Sequence, residues 1–133
     1  MAHKILVIED DTDMLSFLSI LMREAGFEVL TASSAALGLE LAQTGRPDLV
    51  LLDIMMPDVD GWEISRRLRE LGDMPIVFVT ALRDAKNREK GLILGDDYIV
   101  KPFDPRELVS RVRKHIERWM SKSQPPPDGV LTA

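Results

Sequence analysis

A run of four apolar residues, Leu49 to Leu52, stops at the carboxylate of Asp53 and leads into a turn that contains Pro57. Apolar runs of this length, bounded by turn residues, are typical of strands that are buried on both faces. A charge is unfavourable inside such a strand, but it can lie at the strand's end, where the chain meets water. In an open parallel sheet, ligands bind at the carboxyl ends of the strands. Asp53 is therefore the first candidate for a residue that carries chemistry.

Similar runs alternate along the chain with segments of helical periodicity. The five predicted strands are Ile5–Ile8, Phe27–Ala32, Asp48–Asp53, Pro75–Ala81 and Tyr98–Phe103. The five predicted helices run from Asp11 or Thr12 to Gly26, from Ser33 or Ser34 to Gly45, from Asp60 to Gly72, from Asp84 to Leu94 and from Asp104 to Met120. This alternation predicts an α/β fold, a doubly wound parallel sheet with strand order 2-1-3-4-5. The fourth helix has few apolar anchors, so we expect it to be the least firmly packed.

Composition limits the class of protein. The chain has no cysteine, which excludes disulfides, thiolate metal sites and cysteine nucleophiles. Its net charge of −5 argues against a domain that grips nucleic acid by itself. The start of the chain has no signal-peptide pattern and no run is long enough to span a membrane, so we expect a cytoplasmic protein. One domain is expected over residues 1–120, followed by a Pro-rich, linker-like stretch at 121–133.

The predicted sheet brings polar residues together at one edge. Glu9 and Asp10 follow the first strand, which the order places beside the third strand and Asp53. All-oxygen ligands suit Mg²⁺, and the backbone carbonyl of Met55 could add a further ligand. Asp53 can then act as a nucleophile toward phosphorus and form an acyl phosphate.

The fourth and fifth strands end at the same edge. Thr80 offers a hydroxyl and Lys101 an ammonium to a transferred phosphoryl group, and the small Ala81 leaves the approach open. Taken singly, an acid after a strand is more often a helix cap, and Thr80 and Lys101 would be an ordinary strand residue and a surface charge. Their joint placement at four strand ends favours a site. His3 and His115 lack metal-ligand spacing and are expected to be solvated.

Four motifs together resemble the receiver domain of two-component response regulators, over about residues 3 to 120. They are Ile5-Leu6-Val7-Ile8-Glu9-Asp10-Asp11, Leu51-Leu52-Asp53-Ile54-Met55-Met56-Pro57-Asp58-Val59-Asp60-Gly61, Val79-Thr80-Ala81 and Asp96-Asp97-Tyr98-Ile99-Val100-Lys101-Pro102-Phe103. The resemblance implies a flavodoxin-like (βα)5 fold and a signalling phosphoacceptor that turns over no external substrate but assists its own phosphotransfer and dephosphorylation.

The same resemblance implies roles for individual residues. A sensor histidine kinase would phosphorylate Asp53, with Mg²⁺ held by Glu9, Asp10, Asp53 and the Met55 carbonyl. Thr80 and Tyr98 would form the switch, in which the hydroxyl moves toward the phosphoryl group and the ring turns inward. The Lys101–Pro102 peptide would be cis.

Within the family, the segments around Tyr98 and Phe103 look like the OmpR/PhoB subfamily, whose active dimers form through the fourth helix, fifth strand and fifth helix. Matching positions make Asp97 with Arg111, and Arg88 with Glu107, candidate intermolecular pairs. The residues from Gly129 onward are similar to the start of a winged-helix DNA-binding domain, which implies a transcription factor. One departure stands out: Gly95 runs directly into Asp96, one residue shorter than the subfamily pattern, so we expect this loop to be altered.

Two alternatives remain open from the sequence. A phosphatase with an aspartyl-phosphate intermediate would need a second acid two residues after Asp53, where Met55 stands. A stand-alone receiver would act by binding a partner protein, without a DNA-binding domain; the apolar Val130 and Leu131 argue mildly against it.

Overall fold

The computed structural model describes residues 2–57 and 59–123, so of the linker predicted at 121–133 only residues 121–123 are described, and these belong to the last helix. The strands are β1 (Lys4–Ile8), β2 (Glu28–Ala32), β3 (Leu49–Leu52), β4 (Ile76–Thr80) and β5 (Asp97–Val100). The helices are α1 (Thr12–Glu24), α2 (Ala35–Gly45), α3 (Gly61–Leu71), α4 (Ala85–Leu94) and α5 (Pro105–Ser123).

The five strands form one parallel sheet in the order β2-β1-β3-β4-β5, which confirms the predicted doubly wound, flavodoxin-like fold. Because β1 lies between β2 and β3, the first strand and the third are direct neighbours. Their register pairs Ile8 with Leu52, and the next pair along, Leu52 with Phe78, continues the alignment into β4. The carboxyl ends of β1, β3, β4 and β5 therefore share one edge.

Apolar side chains cover both faces of the sheet, as expected for a parallel sheet between helices. On one face, α1 and α5 contribute buried residues such as Leu18 and Val112. On the other face, α2 and α3 contribute residues such as Ala42 and Leu68. Helix α4 has a single buried residue, Gly91, and it is the helix that packs least firmly, as its sequence indicated.

Two boundaries differ from the sequence expectations by three residues, and the others differ by less. Strand β5 ends at Val100 rather than Phe103, because Pro102 has no N–H with which to continue the ladder. Just beyond the end of β5, the Lys101 N–H still donates a hydrogen bond to the carbonyl of Thr80 on β4, at 2.8 Å. Helix α5 continues to Ser123, three residues beyond the expected end at Met120. No helix in the described part of the chain has both the length and the apolar character that a membrane crossing requires.

Candidate functional site

Glu9 and Asp53 lie side by side at the carboxyl edge of the sheet. Each follows the last residue of its strand, and those two residues, Ile8 and Leu52, are paired across β1 and β3. The Asp53 N–H donates to the Ile8 carbonyl at 3.1 Å, which carries the alignment one residue beyond the ladder. Glu9 is 1% exposed and Asp53 is 6% exposed, so both carboxylates are withdrawn from water.

A third carboxylate, that of half-buried Asp10, completes an acidic cluster. One carboxylate oxygen from each of Glu9, Asp10 and Asp53 lies within 4.8 Å of the others. Hard oxygen donors at this spacing, with one residue open to solvent, fit Mg²⁺, which binds through few carboxylates and keeps several waters. The donor set therefore fits the metal expected from the sequence.

Lys101 supplies a positive charge inside the cluster. Its Nζ makes ion pairs with Oε1 of Glu9 and, at 3.0 Å, with Oδ2 of Asp53, while its side chain is only 15% exposed. Burial alone would lower the pKa of the ammonium, but the hydrogen bonds to the two carboxylates outweigh burial and raise that pKa. Lys101 is therefore held in the charged form.

One lysine does not balance the acids. Burial, assisted by the nearby charge of Asp53, raises the pKa of Glu9 from 4.5 to about 7, although the contact with Lys101 acts in the opposite direction. At neutral pH the Glu9 carboxyl thus has a substantial tendency to hold a proton. A divalent cation among the carboxylates would displace that proton and stabilise the charged forms.

The turn after β3 fixes the orientation of Asp53. The Met55 N–H donates to Oδ1 of Asp53 at 2.9 Å, so Oδ1 faces the turn while Oδ2 faces Lys101. The Met55 side chain is 51% exposed. The proposed use of the Met55 carbonyl as a metal ligand remains a prediction.

Thr80 and Tyr98 converge on the backbone of one residue, Leu82. The fully buried Thr80 ends β4, and its Oγ1 accepts from the Leu82 N–H at 3.4 Å. The Tyr98 side chain is turned inward at 2% exposure, and its O–H donates to the Leu82 carbonyl at 2.9 Å. Ala81, which lies between Thr80 and Leu82 in the chain, is exposed. Sequence reasoning named both side chains but missed that Leu82 links them; the only available signal was its position two residues after Thr80.

Three of the four residues matched to a dimer face form contacts within the chain. Arg111 donates to Oδ1 of Asp97 at 3.1 Å and to Oε1 of Glu107 at 2.8 Å. Arg88 lies exposed on α4 and has no ion pair among the described residues. In this single chain the Arg111–Asp97 pair is intramolecular, so an exchange between protomers stays a prediction.

The expectation of a solvated His115 was wrong. Its Nε2 lies 3.0 Å from Oδ2 of Asp97, and the His115 side chain is 14% exposed. Burial alone would raise the pKa of Asp97, but the bonds from His115 and the Tyr98 N–H, with the charge of Arg111, hold that pKa below its usual value. The sequence around His115 did not indicate this contact, because His115 lies on α5 whereas its partner, Asp97, lies on β5.

The shortened segment after α4 is tied tightly to β4. The Gly95 N–H donates to the Gly91 carbonyl at 2.8 Å, and a Cβ at Gly95 would lie 2.9 Å from the Ile76 carbonyl oxygen. Oδ2 of Asp96 accepts from the Ile76 N–H at 2.9 Å and from Arg69 at 3.3 Å. The loop is therefore compact, and its acid caps the start of β4.

Comparison with known proteins gives a consistent result. A family model described as the response regulator receiver domain matches residues 5–113. Over 117 residues the chain is 50% identical to the probable transcriptional regulatory protein SilR of Salmonella typhimurium. This match covers 86% of this chain and 51% of SilR. Over 117 residues it is 48% identical to the transcriptional regulatory protein CusR of Escherichia coli K12. This match covers 86% of this chain and 52% of CusR. The chain thus spans about half the length of these curated relatives.

Solved structures agree. A CheY-like receiver domain protein from Methanospirillum hungatei JF-1 has a TM-score of 0.87 at 29% identity, covering 92% of this chain and 100% of that one. The BeF3-activated N-terminal receiver domain of Klebsiella pneumoniae RstA has a TM-score of 0.81 at 33% identity, covering 86% of this chain and 98% of that one.

Proposed function

We propose, from the premise that this chain belongs to the response regulator receiver domain family, that it is a phosphorylation-controlled switch whose phosphoacceptor is Asp53. The observation that carries the proposal is the cluster at the sheet edge. A buried aspartate lies in contact with a half-buried lysine and beside two further acids. Receiver domains are signalling phosphoacceptors rather than classical enzymes.

In the proposed reaction, a carboxylate oxygen of Asp53 attacks the phosphorus of a phosphohistidine on a sensor histidine kinase. The new O–P bond forms as the N–P bond breaks, and the departing imidazole keeps the electron pair and takes up a proton. The Lys101 ammonium, already within 3.0 Å of Asp53, would move its contact to a phosphoryl oxygen and stabilise the charge there.

Glu9, Asp10, Asp53 and the Met55 carbonyl would hold Mg²⁺. When bound, the ion neutralises charge on the transferred phosphoryl oxygens. The chain's own contribution is to gather the carboxylates at the sheet edge, where the raised pKa of Glu9 leaves the cluster in need of a cation. The exposed Ala81 leaves the approach to this edge unobstructed.

The proposed switch joins Thr80 to Tyr98 through Leu82. If the Thr80 hydroxyl turns toward a phosphoryl group on Asp53, it must release the Leu82 N–H, which it now contacts at 3.4 Å. The same residue accepts the Tyr98 O–H at 2.9 Å. A change at Thr80 therefore reaches the segment between β4 and α4, on which the inward position of Tyr98 depends.

The whole protein is proposed to be a transcription regulator of the OmpR/PhoB type that dimerises on phosphorylation. In support, its relative SilR is named a probable transcriptional regulatory protein and CusR a transcriptional regulatory protein. Dimer contacts would pair Asp97 with Arg111 and Arg88 with Glu107, and DNA would be bound by a C-terminal domain outside this chain. Such a protein would work in the cytoplasm. The alternative is a stand-alone receiver that signals through a partner protein.

Intact-mass measurement after incubation with acetyl phosphate and Mg²⁺ tests the core proposal. The wild type should gain one phosphoryl group and Asp53→Asn should gain none. Asp73→Asn, an exposed aspartate near the opposite edge of the sheet, is the matched control and should label like the wild type. Equal labelling of Asp53→Asn and wild type would refute the assignment.

The lifetime of the phosphoryl group is a separate matter. Met55 and Leu82 flank the expected path of an attacking water and carry no group that could activate it. We therefore expect the domain's own dephosphorylation to be slow. Loss of the label within seconds after removal of acetyl phosphate would contradict this expectation.

A further inference from the structure

Gly91 is the one residue of α4 that is buried. It faces the sheet, while most other positions of the helix are exposed. A glycine inside a helix destabilises it relative to alanine, because the backbone has more freedom to lose on folding. A glycine at the only buried position therefore indicates that a side chain there would disturb something beneath the helix.

The group beneath it is the Tyr98 ring. A Cβ built on Gly91 would overlap Cδ1 of Tyr98, would lie 2.9 Å from its Cε1, and would lie 3.4 Å from Cδ2 of Phe78. The separations from the two Tyr98 atoms are shorter than real Cβ contacts, whereas the separation from Phe78 is close to ordinary contact. The obstacle is therefore specific to the tyrosine.

We propose that Gly91 is a positioning residue for Tyr98: the missing side chain leaves the space under α4 that the inward ring occupies. The ring also lies against Phe78, with the ring centroids 6.2 Å apart. From this position its O–H donates to the Leu82 carbonyl at 2.9 Å. The packing statement is independent of phosphorylation, whereas its consequence for signalling rests on the proposed function.

Gly91 thereby couples α4 to Tyr98. When the ring is inward, it fills the gap between α4 and β4; when the ring is outward, α4 loses that support. Gly91 is the only buried residue of α4, and the other apolar contact of this helix with the core is made by the partly buried Leu94 at its end. The position of the ring should therefore influence the position of α4, which carries Arg88 on the proposed dimer face.

The chain contains a single tyrosine, so fluorotyrosine incorporation gives one ¹⁹F NMR signal that reports on Tyr98 alone. In Gly91→Ala we expect that signal to move toward its position in the urea-unfolded protein and to gain a solvent isotope shift. Glu89→Ala, an exposed position of the same helix, should leave the signal unchanged. A Gly91→Ala signal identical to that of the wild type would overturn the proposal.

A double-mutant cycle supplies the second readout. Gly91→Ala should lower the urea midpoint when Tyr98 is present, but should leave it unchanged or raise it in a Tyr98→Ala background, because alanine is the better helix former. An equal loss in both backgrounds would overturn the proposal, since the cause would then be something other than the ring. If Gly91→Ala fails to fold, folding of the double variant supports the proposal and its failure to fold contradicts it.

The signalling consequence has its own measurement. Gly91→Ala should still gain one phosphoryl group from acetyl phosphate, while its phosphorylation-dependent dimer affinity should fall roughly tenfold. A variant that labels and dimerises like the wild type would overturn the coupling. Absence of labelling in the wild type would instead refute the proposed function and leave the packing result standing.

Discussion

The Asp53 pocket and the cluster around Asp97 both hold carboxylates against basic side chains, but the carboxyl pKa shifts in opposite directions in the two. The pocket has three carboxylates and one ammonium, that of Lys101. The Asp97 cluster has one central carboxylate contacted by Arg111 and His115. The pKa of Glu9 is accordingly raised to about 7, whereas that of Asp97 is lowered.

The difference teaches how to separate a site from a structural contact. The carboxylates of Glu9 and Asp97 are both substantially buried, so burial alone does not distinguish the two. Hydrogen bonds from His115 and the Tyr98 N–H, with the charge of Arg111, outweigh the burial of Asp97 and keep its carboxyl ionised. The pocket has a single ammonium beside three carboxylates, and such an excess of acids is the condition expected where a cation is to bind.

The largest test of this comparison removes the only cation of the pocket. Lys101→Met keeps an unbranched side chain, one atom shorter, and eliminates its charge. Phosphorylation by acetyl phosphate should slow by about 10²- to 10³-fold because a donor to the transferred oxygens is lost. Lys114→Ala, an exposed lysine on α5, should phosphorylate at the wild-type rate. Time courses by intact mass give both rates, and a wild-type rate for Lys101→Met would remove the lysine from the mechanism.

The next test uses the raised pKa of Glu9. The folded state holds this proton more tightly than the unfolded state, in which the pKa is near 4.5. In the absence of metal, the stabilisation is therefore complete below pH 4.5 and is lost as the pH rises through about 7. The decrease should be at most roughly 3 kcal/mol. Urea unfolding in EDTA should show this slope in the wild type and lose it in Glu9→Gln; an equal slope in both would locate the titration elsewhere.

The Asp97 cluster should respond in the opposite direction. Asp97→Ala leaves Arg111 and half-buried His115 without their shared acceptor, and should lower the free energy of unfolding by about 2 kcal/mol at neutral pH. Because the folded-state pKa is lowered, the advantage of the wild type should be present above pH 3.8 and fade as the pH falls below it. Denaturation curves at neutral and acid pH provide the check. A difference that grows in acid would be incompatible with a stabilising ionised carboxylate.

The smallest effect belongs to a pair in contact with water. Arg66 lies 3.0 Å from Glu63 on α3, but the two side chains are 52% and 48% exposed. Arg66→Ala should change the free energy of unfolding by less than about 0.5 kcal/mol. A change as large as that of Asp97→Ala would show that exposure to water does not weaken an ion pair in this protein.

Prediction from sequence succeeded where a local pattern had one physical solution. Short apolar runs between helical segments define the five strands, and right-handed crossovers leave few possible orders. Asp53 and Glu9 could be placed together because each directly follows a strand, and neighbouring parallel strands end at one edge. The end of β5 was missed by three residues, since Phe103 continues the apolar pattern beyond the point where the ladder stops.

By itself, the sequence determined the parallel sheet, the edge that carries the acids and the position of Asp53 directly after β3, because these follow from periodicity and from the cost of burying charge. Only the tertiary structure decided which partners the side chains have. The His115–Asp97 contact joins α5 to β5, and the Gly91–Tyr98 packing joins α4 to β5. Such contacts depend on helix rotation and strand register together, which no short stretch of residues specifies alone.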